Sequence, residues 1–108
     1  MTKLNTLVQT AVAWWVDQMS PSASTEKIEK FKYACSSYIF KESLSPFILT
    51  LSYDYTPDEA LQSICTDAGL NNRIVFTQKA VMVINFETCT ILCSIGNEEQ
   101  KQLPLLTF

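Results

Sequence analysis

Residues 47–70 read FILTLSYDYTPDEALQSICTDAGL, and here a strand signal runs directly into a helix signal. Phe47, Leu49, Leu51, Tyr53 and Tyr55 alternate with Ile48, Thr50, Ser52 and Asp54, the two-residue period of a half-buried strand. Thr56-Pro57-Asp58-Glu59 then breaks that period. A threonine able to cap, a proline suited to the first helical position and a glutamate three residues after the cap predict a helix over 57–68 that starts at Thr56. Ala60, Leu61, Ile64, Cys65 and Ala68 form its apolar stripe, and Gly69-Leu70 has the form of a left-handed C-cap with its hydrophobic contact.

Upstream of this junction the period is helical. Leu4, Leu7, Val8, Ala11, Val12, Trp15 and Met19 recur on one face of an N-terminal helix, with Trp14 about 100° away from Trp15 at the edge of the stripe. The run 20–24, rich in serine around Pro21, interrupts the pattern. Ser24 or Thr25 is placed to cap a second helix that reaches about residue 41, with Ile28, Phe31, Cys35 and Ile39 facing inward. Tyr33 and Phe40, seven residues apart, fall together on a different side of that helix. Ser45-Pro46 ends it.

Downstream the signals are those of strands: a short candidate at 74–76, a longer one at 80–86 and another at 89–95. Glu87-Thr88 is the expected turn between the last two, although it lacks the Asn-Gly or Asp-Gly of the tightest hairpins. Residues 98–102 are polar and read as a solvated spacer, and the tail 103–108 is apolar around Pro104. The whole reads as one α+β domain, 1–108: two N-terminal helices, a strand, a helix and a C-terminal antiparallel hairpin, the helices packed on one small sheet. A chain of 108 residues has room for one such core and not for two.

Charge and composition exclude several classes of function. Eight basic against eleven acidic residues leave a net charge of −3, so there is no cationic field for phosphates and no direct nucleic-acid ligand is expected. No stretch approaches the length of a membrane span, and no continuous signal core follows Lys3, so a cytoplasmic protein with reduced thiols is expected. With no histidine, the Ser-His-Asp and Cys-His nucleophile systems and HExxH metal sites are ruled out. Two isolated glycines rule out Walker A and Rossmann phosphate loops. Cys89 and Cys93, four residues apart on an extended strand, would stand roughly 13 Å from one another, too far to share one zinc. Cys35 and Cys65 lie on inward helix faces as small hydrophobes. No catalytic residue, metal or cofactor is therefore assigned, and the expectation is a protein that is not an enzyme. A carboxylate-dependent hydrolase would have only Asp54 and Asp58 to work with.

Recognition residues are easier to nominate. Trp14, Tyr33, Phe40 and the apolar tail are candidate anchors for a protein partner. Tyr53, Tyr55 or Trp14 could instead stack a ring of a small anionic, nucleotide-like ligand whose charge Arg73 or Lys79 would hold. The apolar excess also predicts a homo-oligomer, a dimer or a higher even-numbered assembly, with the tail reaching a neighbouring subunit.

Trp14-Trp15 on the first helix, Ile28-Glu29-Lys30-Phe31 on the second, the run from Leu51 to Asp58 and Phe76-x-x-Lys79 together resemble small uncharacterised proteins of gut bacteria and their phages or mobile elements. The resemblance spans about residues 10 to 84 and carries no catalytic residue with it. What it implies is a context in which small acidic proteins act by binding, as inhibitors of bacterial defence proteins of the anti-CRISPR kind or as sponges for signalling nucleotides.

Overall fold

The computed structural model describes residues 3–19, 23–44, 47–54, 56–70, 76 and 78–105. Helices α1 (Lys3–Asp17) and α2 (Thr25–Glu42) precede strand β1 (Ile48–Tyr53), helix α3 (Glu59–Asp67) follows, and β2 (Ala80–Asn85), β3 (Thr90–Ile95) and the short β4 (Lys101–Gln102) complete the chain. The four strands form one antiparallel sheet in the order β1-β2-β3-β4. The α+β arrangement read from the sequence is the arrangement observed. No helix among the described residues is long and apolar enough to cross a membrane.

Side-chain parity shows which face the helices cover. Leu49, Leu51 and Tyr53 of β1, Ala80, Met82 and Ile84 of β2, and Ile91 and Cys93 of β3 are buried. Register pairs Leu49 with Ile84, Leu51 with Met82 and Ile84 with Ile91, so these residues line a single face. Leu7, Val8, Ala11 and Trp15 of α1, Phe31, Cys35 and Ile39 of α2, and Leu61, Ile64 and Cys65 of α3 complete the same core. The opposite face carries Ile48, Thr50, Ser52, Val81, Val83, Leu92 and Ser94, none charged and none fully buried.

Phe76 stands where the three layers meet. Its ring is 5.4 Å from Trp15, 6.0 Å from Phe31 and 5.3 Å from Tyr53 between centroids, within the range in which aromatic pairs attract. It is 3% exposed, and its backbone makes an isolated bridge with Met19. Ile74 and Val75, the rest of the short strand candidate, lie outside the described residues. The Trp15 Nε1–H is buried without a hydrogen-bond partner among the described residues, the one polar concession in this aromatic cluster.

Local chemistry differs from expectation in three places. The cap of α3 is Asp58, not Thr56: its Oδ1 accepts from the Leu61 N–H at 2.9 Å, and Pro57 lies before the helix rather than in its first turn. The reason is a contact that is not helical. Tyr53 and Pro57 form an antiparallel bridge in which the Asp58 N–H donates to the Ser52 carbonyl and the Asp54 N–H to that of Thr56, holding 56–58 extended. The hairpin turn takes four residues, 86–89, and Asn85 organises it by accepting the Glu87 and Thr88 N–H groups on its side-chain oxygen while Cys89 adopts φ +55°. Finally, residues 98–102 are not all spacer. Lys101 and Gln102 pair with Cys93 and Leu92, and Leu103 and Leu105 pack, partly buried, against the chain's own core.

The C-terminal signal of α3 is as expected: the Leu70 N–H donates to Cys65 and the Gly69 N–H to Thr66, with Gly69 at φ +69°. Replacing Asp58 with alanine should therefore destabilise the fold by about 1 kcal/mol in urea titration, and Thr56→Ala by only a few tenths. Equal losses for the two variants would place the cap elsewhere.

Candidate functional site

The outer face of α2 forms because the helix is amphipathic in two senses. Phe31, Cys35 and Ile39 turn inward, and the 3.6-residue repeat leaves Tyr33, Ser37 and Phe40 on another side. Leu44 extends that line. The Ser43 N–H donates to Ile39 and that of Leu44 to Lys41, so the last turn winds on past Glu42 and places Leu44 four residues after Phe40. Tyr33 is 78% exposed, Phe40 38% and Leu44 87%, a rare concentration of free apolar surface on one element.

Two open grooves flank Tyr33. One, of about 960 Å³, lies between α2 and the C-terminal turn of α3, with Tyr33, Ala34 and Tyr38 opposite Thr66, Ala68 and Gly69. The other, about 450 Å³, lies on the opposite side of the ring and takes in Lys32, Ser36 and Phe40. Four of the rim charges pair within the helix, Lys30 with Glu26 at 3.2 Å and Lys32 with Glu29 at 3.4 Å, and Lys41 and Asp67 add one charge of each sign to the first groove. Being exposed, these pairs add little stability, but they leave no strong field of either sign over the grooves. The Tyr38 hydroxyl is held above its usual pKa by burial and then by the carboxylates of Glu42, Asp58 and Glu59, so it remains a neutral donor at physiological pH. The face thus offers aromatic area, hydroxyls and compensated charge, a chemistry of non-covalent recognition.

The residues nominated from sequence do not converge on one site. Tyr33 and Phe40 stand together on α2. Trp14 is half-buried and packs edge-to-face on Trp15 at 5.0 Å, lining a small groove of about 270 Å³ with Cys93, Ile95 and Leu103. Tyr53 is 5% exposed in the core against Phe76, because its position in β1 has the inward parity of Leu49 and Leu51; it presents no free ring to a ligand. Lys79 is exposed just before β2 and lines none of these grooves, its carbonyl accepting from the Gly96 N–H. Tyr55 and Arg73 lie outside the described residues. Asp58 is engaged as the cap of α3, while Asp54 is exposed. Sequence reasoning missed Leu44, whose signal was its spacing of eleven residues from Tyr33, obscured by the Ser45-Pro46 break. No family model matches the chain, and neither a curated protein nor a solved structure matches it significantly.

Of the thiols, Cys35 and Cys65 are buried where α2 meets α3. Burial pushes both from an ordinary 9.0 up to about 12, with the neighbouring Cys65 adding to the effect at Cys35. No group of three or more metal-ligating side chains forms among the described residues. Because the folded state holds these protons more tightly than the unfolded chain, their contribution to stability is complete below the unfolded value and is lost as pH rises toward the folded one. Unfolding free energy should then change little from pH about 7 to about 8.5 and fall above 9, and Cys35→Ala should flatten the fall. Equal slopes for the parent and the variant in alkaline urea titrations would contradict this.

Proposed function

We propose that the chain is a non-enzymatic protein-binding module that docks a partner on the outer face of α2. The observation that carries the reading is the run Tyr33, Phe40 and Leu44, exposed at helical spacing with two grooves meeting at Tyr33, on a domain with its own buried core. Anchoring aromatics beside recesses, ringed by hydroxyls and matched charges, is the usual composition of an interface centre. The partner suited to it is a protein with an apolar ridge rather than a highly charged polymer. That this partner is a bacterial defence protein, and the chain an inhibitor of phage or mobile-element origin, rests on the sequence resemblance alone. The competing reading, a sponge for an anionic ligand, receives less support, since of its ring candidates Tyr53, Tyr55 and Trp14 the first is in the core, and of its cations Lys79 and Arg73 the first lies apart from the grooves, Tyr55 and Arg73 being outside the described residues.

A photoreactive phenylalanine analogue placed at position 33 or 40 in cells should give one discrete cross-linked protein, and the same analogue at Thr88 in the hairpin turn should give none. Alanine at Tyr33 or Phe40 should weaken that complex roughly tenfold or more with circular dichroism unchanged. Identical cross-links from all three positions, or full binding by a Leu44→Glu variant, would refute the assignment.

A further inference from the structure

β1 forms one border of the sheet, and among the described residues its outer edge is unpaired over a defined length. The Phe86 N–H donates to the Phe47 carbonyl, so in an antiparallel pair Leu49, Leu51 and Tyr53 direct their backbone groups to β2 while Ile48, Thr50 and Ser52 direct theirs away from it. The Ser52 carbonyl is taken by the Asp58 N–H, leaving Ile48 and Thr50 with N–H and C=O groups that no described residue pairs. Natural edge strands are commonly protected by lysine, proline or a bulge. Ile48–Tyr53, the sequence ILTLSY, contains no charge and no proline, and its register with β2 is unbroken.

We propose that this edge pairs with the β1 edge of a second copy, forming a two-fold dimer with a continuous eight-stranded sheet. The free groups select the register. A two-fold axis at Leu49 sets Ile48 opposite the second copy's Thr50 and Thr50 opposite the second copy's Ile48; each pair exchanges two hydrogen bonds, four in all. An axis at Thr50 would instead require the Ser52 carbonyl, which the 54–58 turn already occupies. A second copy also fits electrostatically. Two-fold contacts set a segment against itself, so like charges would face one another, and residues 43–53 contain none although the chain carries a net −3. The same register carries Phe47, 71% exposed, and Ile48, 53% exposed, into the seam. This surface is separate from the outer face of α2, and either can fail without the other.

Sedimentation equilibrium of the full chain over a micromolar-to-millimolar series, combined with amide exchange resolved at single residues, tests the proposal. The expected result is a species of twice 12.2 kDa whose Ile48 and Thr50 amides gain protection as concentration rises. Thr50→Pro removes one outward N–H per copy without touching a β1–β2 bond and should weaken the dimer roughly tenfold or more. Ile48→Lys, which keeps the backbone intact, should do the same with helix content unchanged and covers the case in which proline prevents folding. A monomer throughout the series, or a dimer in which the Ile48 and Thr50 amides exchange freely, would overturn the proposal. A dimer that survives Ile48→Lys would overturn it too.

Discussion

The contact of the Phe76 ring with Trp15, Phe31 and Tyr53 is the constraint on which the rest of the molecule depends. One side chain from the segment between α3 and β2 touches a residue of α1, one of α2 and one of β1. It therefore fixes both N-terminal helices over the same end of the sheet. Each ring pair contributes on the order of 0.5–1.5 kcal/mol beyond the area it buries, and all share Phe76, so the packing is mutually dependent. Among the described residues the buried Trp15 Nε1–H has no hydrogen-bond partner, so ring packing is what holds the indole in this cluster.

Covering one face of a small sheet leaves specific surfaces uncovered. α2 sends Phe31, Cys35 and Ile39 into the core and keeps Tyr33, Phe40 and Leu44 outside, because a single helix cannot bury two stripes on opposite sides without another layer. Among the described residues the sheet likewise presents an uncharged outer face and an unpaired β1 edge at Ile48 and Thr50. Closure of the core and exposure of these surfaces follow from the same layering. The proposed interaction surfaces are the ones that this one-sided packing leaves out.

Much of this layout was legible as periodicity. The alternation in 47–55 marked β1 and already placed Tyr53 with Leu49 and Leu51 on the buried side. The seven-residue spacing of Tyr33 and Phe40 marked the outer side of α2. What stayed hidden depended on contacts distant in sequence or too short to have a period. Thr56-Pro57-Asp58-Glu59 supports two helix starts equally well, and only the Tyr53–Pro57 bridge decides for Asp58. Lys101-Gln102 has no strand pattern and pairs because β3 offers its edge. The hairpin lacks a glycine turn since Asn85, still within the strand, supplies the acceptor. Phe76 belongs to no periodic run, so its central position could be known only from the fold.

The central claim is that one ring couples both helical layers to the sheet, and the cooperative unfolding of Phe76→Ala measures it most directly. Removal of a buried phenylalanine that holds three neighbouring rings should cost about 3–5 kcal/mol in urea titration, with loss of the near-ultraviolet signal of Trp15. A loss below about 1 kcal/mol with that signal intact would show that the layers are held together without it.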